Sequence, residues 1–460
     1  MPIATVNPYT NETLKTFQEQ TPKSIERALE TAAAEYRHWR TTSFADRAAI
    51  LHRVAAILRR RREELAKLIT TEMGKLIAES VAEVDLSADI FDYYADHGEI
   101  FLADQPVATE RGEALLRHSP IGLVLGVEPW NFPVYQVARF AAPNVMIGNV
   151  VLVKHASNVP QCAIAIESAF QEAGAPAGLY TNLLIPGSKV SELVADERIQ
   201  GAALTGSEVA GASLAAAAGK SMKKSVLELG GSDALIVLED ADIDQTVEWA
   251  FVGRMNNTGQ CCVASKRLIV VEPVADEFIQ KFVARMSNLR TGDPLDPSTQ
   301  LGPLSSEAAA VELEGQIRRA VEAGATVLLG GKRIPRKGAF LEATVLTDVT
   351  PGTPISHEEL FGPVAVIYRV PDEESAIRVA NDSPFGLGGS VFTSDVERGK
   401  RVADRIDTGM VFINHPTWTA PELPFGGIKR SGYGRELSSL GVEEFVNKKL
   451  IRVSSLSDPF

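Results

Sequence analysis

Val150-Val151-Leu152-Val153, with the helical pattern from about Pro160 to Ala173 and its stop at Gly174, is the stretch that decides the fold. Four consecutive aliphatics without alternation leave no face for water, which is the mark of a parallel strand buried on both sides. The helix that follows supplies the crossover such a strand needs. Outward from this unit the rhythm repeats, with strands expected at about Leu183-Ile185, Gly201-Leu204, Ser225-Leu229 and Ala234-Leu238 and helices between them. This βαβ alternation predicts a doubly wound nucleotide-binding sheet. Upstream, apolar residues recur at helical spacing from Ser24 to about Gly74, with Ser43 as an N-cap before Ile50, Leu51, Val54, Ile57 and Leu58. Within it, the run Arg59 to Arg62 reads as a solvated face, with Arg59 and Arg60 facing Glu63 and Glu64 at i,i+4. A further helix is expected from about Lys75 to Ile100, then a hairpin from Gln105 to His118 turning at Arg111-Gly112. Downstream, a second α/β region runs from about Lys266 to Ile413. It is interrupted at Pro294-Pro303, Gly330-Gly338 and Pro351-Pro354, and the tail from Phe445 to Val453 reads as a late strand.

The chain has 460 residues, too many for one ordinary core, so two domains and a smaller element are expected. A formal charge of -13 repels nucleic acid and anionic membranes at long range, so neither is expected as a partner. The three cysteines, Cys162, Cys261 and Cys262, give no disulfide framework and point to a reducing compartment. No apolar run approaches the roughly 20 residues of a membrane span, and the opening residues lack a signal-peptide pattern. A cytoplasmic protein is expected.

Asn256-Asn257-Thr258-Gly259-Gln260-Cys261-Cys262 sets thiols behind amides, Thr and Gly instead of among aliphatics. Such a turn allows close backbone approach to a ligand and can stabilise a thiolate, so one of the pair is a candidate nucleophile. Glu128-Pro129-Trp130-Asn131-Phe132-Pro133 is stiffened by two prolines and could fix the Asn131 amide as a donor to a developing oxyanion. Leu227-Glu228-Leu229-Gly230-Gly231 ends a buried strand with a carboxylate among aliphatics, where desolvation disfavours the charged form and suits a general base. Gly206-Ser207-Glu208-Val209-Ala210-Gly211 follows a strand and opens a helix, a place where backbone N–H groups can meet a pyrophosphate. His155 and His357 have no partner at metal-ligand spacing, so no catalytic metal is expected.

The strings around Asn131, Glu228 and Cys262 combine with three others: Leu204-Thr205-Gly206-Ser207, His357-Glu358-Glu359-Leu360-Phe361-Gly362-Pro363 and Pro424-Phe425-Gly426-Gly427-Ile428-Lys429. In order and spacing the set resembles the aldehyde dehydrogenase superfamily over nearly the whole chain, and most of all its short bacterial succinate-semialdehyde dehydrogenases. The resemblance implies a discontinuous Rossmann-type cofactor domain over 1–103 and 121–230 and an α/β catalytic domain over 231–436. A small β element from 104–120 and 440–460 would join subunits into a homodimer or homotetramer. It casts Cys262 as nucleophile, Asn131 as oxyanion donor and Glu228 as the base for water. Relatives that acylate CoA typically lack that glutamate, so a free acid is the implied product. Trp130, Lys154, Ser157, Thr205, Gly206, Ser207, Glu359 and Phe361 are assigned to the cofactor. A serine at 157, where NAD-selective relatives often carry glutamate, leaves Lys154 free for a 2′-phosphate and favours NADP over NAD.

For the substrate, Arg139 lies eight residues after Asn131, a little over two helical turns, and is expected to clamp a carboxylate. Arg254 is a second candidate, and Trp418 and Thr419 are expected at the entrance. The favoured substrate is succinate semialdehyde. Glutarate semialdehyde, glyceraldehyde 3-phosphate and neutral aldehydes are alternatives, and a cysteine hydrolase pairing Cys262 with a histidine is a rival of another class.

Overall fold

The computed structural model describes residues 2–110, 112–350 and 352–457; Arg111, Pro351 and the expected domain ends at 1 and 458–460 lie outside these ranges. Three helices fill the first helical stretch: Pro22–Trp39, Phe44–Arg60 and Arg62–Met73. Ser43 caps the second, its hydroxyl accepting from Asp46 N at 3.1 Å while the Asp46 carboxylate returns to the Ser43 backbone. The helix break at Arg61 changes the partners expected for the arginine run. Arg59 reaches Asp89 and Asp92 on the helix Ile77–Phe101, Arg60 reaches Glu172, and Arg61 takes Glu64. With the helix ending at Arg60 the i,i+4 spacing is lost, and these remain surface pairs worth under about 1 kcal/mol each.

A six-stranded sheet carries the first half of the chain in the order Gly432–Tyr433, Lys224–Glu228, Ile199–Thr205, Leu123–Glu128, Val150–His155 and Tyr180–Asn182. All its strands are parallel except Gly432–Tyr433. The strand expected at Leu183-Ile185 falls earlier, at Tyr180–Asn182. Leu183 N still donates to Val153 O at 2.8 Å, but the chain then turns into Pro186, which has no N–H for a ladder.

The strand Ala234–Val237, expected in the same series, belongs to a second sheet. Seven strands make it up, in the order Thr326–Leu329, Thr344–Thr347, Val364–Val370, Arg267–Val271, Ala234–Val237, Gly389–Phe392 and Phe412–Ile413. Only its first pair is antiparallel. Gln105–Pro106, Glu113–Pro120 and Val446–Val453 form a three-stranded antiparallel sheet in which Leu116 faces Leu450. This joins the expected hairpin to the expected late strand. No helix among the described residues is long and apolar enough to cross a membrane. The chain leaves Glu228 at the carboxyl end of its strand and, after Gly230 and Gly231, enters the second sheet. The crevice outside the carboxyl ends of the parallel strands is where an open α/β fold places ligands.

Candidate active site

Three successive residues in the left-handed region shape the thiol-bearing turn: Asn257 (φ 54°), Thr258 (φ 54°) and Gly259 (φ 76°). Two of them are not glycine, and each such residue costs roughly 1–3 kcal/mol unless its surroundings hold it. Here they do. Glu79 accepts from Asn257 N at 3.0 Å, and Asn257 Nδ2 donates to the carbonyls of Asn131 at 2.9 Å and Gln260 at 3.1 Å. The turn is thereby tied to the Asn131 loop, and Asn131 Nδ2 itself donates to Gln260 O at 3.1 Å. One N–H of that amide is left for a ligand.

Cys262 follows, half-buried, where two cavities meet. One, of about 240 Å³, is lined by Asn131, Glu228 and Cys262 with Trp130, Thr205, Gly206, Ser207, Glu359 and Phe361. The other, of about 600 Å³, is lined by Cys261 and Cys262 with Phe132, Tyr135, Phe425, Trp418 and Thr419. Ser207, which lines the smaller cavity, caps the helix Glu208–Lys220. Lys154 and Ser157 lie outside the lining of both. Lys154, at the end of the strand Val150–His155, is 7% exposed, and burial alone lowers its pKa. No carboxylate pairs with it among the described residues, which leaves a buried cation able to meet an anion.

Glu228 is 2% exposed, and neither carboxylate oxygen has a hydrogen-bond partner among the described residues. Burial pushes its pKa well above the usual carboxylate range, with the Arg139 charge opposing. Gly426 makes room for it: at φ 147° a Cβ there would fall 2.7 Å from Glu228 Oε1. The Cys262 thiol is held above its ordinary value by its hydrogen bond with Cys261 and by burial, while Arg139 and Lys266 pull it down.

Both arginines expected at the substrate are engaged elsewhere. Arg139 is fully buried on the helix Tyr135–Ile147 and ion-paired with Glu436, 4.3 Å from the centre of the Phe425 ring. Its spacing from Asn131 misled because Asn131 precedes the helix. Its remaining contact toward the larger cavity is Nη1 to Tyr135 Oη at 3.3 Å, and that hydroxyl lies 2.8 Å from Thr419 Oγ1. Arg254, also fully buried, donates to the carbonyls of Val364 at 2.6 Å, Leu360 at 2.9 Å and Gly259 at 3.3 Å, and to Gly362. It staples the thiol turn to the loop carrying Glu359 and Phe361, and offers a substrate nothing.

Sequence reasoning missed Tyr135, Glu436, Glu79 and Lys266. Lys266 stands before an apolar strand, where its sequence context is that of any strand-end lysine. No histidine lines either cavity among the described residues. Burial lowers the His155 pKa to about 4, and its Nε2 meets Pro133 O at 3.1 Å. A thiol hydrolase needing an imidazole beside Cys262 finds none there.

The aldehyde dehydrogenase family model matches residues 1–451. The chain is 54% identical over 451 residues to a succinate-semialdehyde dehydrogenase (NADP+) of Deinococcus radiodurans, covering 98% of this chain and 94% of that protein. It is 47% identical to a probable succinate-semialdehyde dehydrogenase (NADP+) of Synechocystis, covering 99% of this chain and all of the other. Among solved structures, succinic semialdehyde dehydrogenase from Streptococcus pyogenes in complex with NADP+ superposes with a TM-score of 0.97 at 48% identity, over 98% of this chain and 100% of that one. A thiol between two clefts and a likeness running nearly end to end lead to one conclusion: the chain belongs to the aldehyde dehydrogenase family.

Proposed function

We propose that the protein oxidises succinate semialdehyde to succinate with NADP as hydride acceptor. The observation that carries this reading is Cys262 opening on one side to the larger cavity and on the other to the cleft of Glu228 and Glu359. Cys262 as thiolate attacks the aldehyde carbon from the side of the larger cavity, and the free N–H of Asn131 with the Cys262 backbone N–H holds the resulting oxyanion. Such a donor is worth about 3 kcal/mol in the transition state. The residues lining the smaller cleft would hold a nicotinamide dinucleotide, which would supply the hydride acceptor there, so that loss of hydride from the adduct on Cys262 would leave a thioester. Glu228 then takes a proton from the water that releases the acid from the thioester. Trp130, Thr205, Gly206, Ser207, Glu359 and Phe361 would hold the cofactor, with Lys154 and Ser157 at its adenosine ribose. The buried, unpaired Lys154 fits a 2′-phosphate, and relatives at 46–54% identity are named as NADP enzymes.

Ser157→Glu is expected to lower kcat/KM with NADP by about 100-fold through like-charge repulsion while sparing NAD; initial rates with both cofactors check it. The substrate's carboxylate would be read by the Tyr135 and Thr419 hydroxyls, with Arg139 polarising Tyr135 from behind. Tyr135→Phe should raise KM for succinate semialdehyde about tenfold and leave propionaldehyde unchanged, as loss of one hydrogen bond to a charge implies. The test of the whole reading is a set of initial rates with succinate semialdehyde, glutarate semialdehyde, glyceraldehyde 3-phosphate and propionaldehyde, each with NADP and NAD. Highest kcat/KM for any aldehyde but the first, or for NAD, would overturn the assignment.

By the same reading residues 1–103 with 121–230 form the cofactor domain, 231–436 the catalytic domain, and 104–120 with 440–460 the subunit contact. The strand Val446–Val453 supports that contact, because it lies at a sheet edge with Leu450 62% and Val453 59% exposed. Unpaired apolar edges invite a second copy, so a homodimer or homotetramer in the cytoplasm is the form proposed.

A further inference from the structure

Lys266 is 1% exposed, and its ammonium makes three contacts that meet at the centre of the site. Nζ donates to the carbonyl oxygens of Cys261 and Cys262, each at 2.8 Å, and lies 3.1 Å from Glu359 Oε1. The same carboxylate oxygen accepts from Gly231 N at 3.0 Å. Two glycines permit this convergence: a Cβ at Gly230 would lie 2.4 Å from Glu359 Oε2, and one at Gly231 would lie 2.6 Å from the Cys262 carbonyl oxygen. Glu359 also lines the smaller cleft, so one carboxylate faces both a cofactor and the lysine that grips the nucleophile's backbone.

We infer that Lys266 is a positioning residue that couples occupancy of the cofactor cleft to the state of the Cys262 thiol, through Glu359. The inference rests on the reading of the smaller cleft as the NADP site. With the cleft empty, Glu359 neutralises much of the Lys266 charge. Hydroxyl donors from a bound ribose draw on that carboxylate, less of the lysine's charge is cancelled, and the thiolate beside it is stabilised. A lysine serving only to satisfy two carbonyls would not need a carboxylate shared with the cleft. Because coupling between sites is reciprocal, the thiolate must in turn tighten cofactor binding by the same factor.

Several charged or titratable groups face the thiol, and the test must separate Lys266 from them. They are Cys261 from the same loop, Arg139 and Tyr135 from the helix Tyr135–Ile147, and Glu228 across the smaller cleft. The experiment follows the pH dependence of iodoacetamide alkylation, read at Cys262 by peptide mass spectrometry, with and without saturating NADP. In the parent, NADP is expected to lower the midpoint by about one pH unit, the low end for a charge within a few ångströms. Lys266→Met should raise the midpoint and abolish the response to NADP, and Lys266→Arg should restore both. Glu359→Gln should lower the midpoint without cofactor, and in the Lys266→Met background it should do nothing.

If Lys266→Met changes only the melting temperature and responds to NADP as the parent does, the coupling does not exist. The same follows if the Glu359→Gln shift persists in the double variant. Should Lys266→Met fail to fold, Glu359→Gln alone decides, since an unchanged midpoint and an unchanged NADP response there overturn the inference. Failure of the underlying cofactor assignment looks different: the parent itself would neither bind NADP by fluorescence nor reduce it.

Discussion

Cys262→Ala should lower the rate of aldehyde oxidation by about 10⁴-fold or more, because it removes the sulfur proposed to form the acyl link and not merely a contact to it. The thiol sits where the two cavities meet, and Cys261, 9% exposed, lines only the larger one. The neighbouring sulfur therefore cannot substitute, since it does not border the cleft of Glu228 and Glu359. Cofactor affinity should fall by no more than about tenfold, the share the thiolate contributes by reciprocal coupling, because the alanine keeps the backbone that Lys266 grips at 2.8 Å. The measurements are NADPH absorbance during turnover and NADPH fluorescence during titration. A Cys262→Ala enzyme retaining a tenth of parental kcat would show that the chemistry runs through another group.

The second large effect is expected of Glu228→Gln, which keeps the shape of the side chain and removes its ability to take a proton. Oxidation should still proceed once, giving a burst of about one NADPH per subunit, and hydrolysis of the thioester should then slow by about 10³-fold, within the range of general-base catalysis. A rapid-mixing trace reads both phases; a variant that turns over linearly without a burst would remove Glu228 from the hydrolytic step. The raised pKa of Glu228 gives this substitution a pH signature of its own. Parental kcat should rise with pH as the carboxyl loses its proton, and this limb should vanish in the Gln variant.

Stability has the same origin. A carboxyl whose pKa is higher in the folded than in the unfolded chain is best tolerated when protonated, so its burial costs nothing extra below the unfolded value and costs most above the folded one. Glu228→Gln should therefore melt above the parent at alkaline pH, and the difference should shrink as pH falls through the folded pKa toward the unfolded value. Thermal melts across that range test the sign.

Much of this was legible in the residues. The unbroken aliphatic run at 150–153, followed by a crossover helix, marked a buried parallel strand, Ser43 marked a helix start, and the polar turn before Cys262 marked a thiol not meant for packing. The motif strings then placed Asn131, Glu228 and Cys262 in one scheme, and the fold brings all three to the lining of a single cleft. The arginines were misread. Nothing local distinguishes a guanidinium that meets a substrate from one that meets Glu436, which lies almost three hundred positions away, or from one holding four backbone carbonyls. Lys266 was overlooked for the same reason: the Cys261 and Cys262 carbonyls are near it in sequence, but the Glu359 carboxylate that completes the set is brought to it only by the fold.

Order, period and residue type along the chain thus determined the α/β class and the parallel strands, because hydrophobic periodicity and turn chemistry act over a few residues, while the motif strings carried the reacting side chains proposed above. The tertiary structure alone decided which charges face the cavities and which neutralise one another inside the protein. A buried ion must find its counter-charge or carbonyls wherever the fold supplies them, and sequence distance carries no record of that choice.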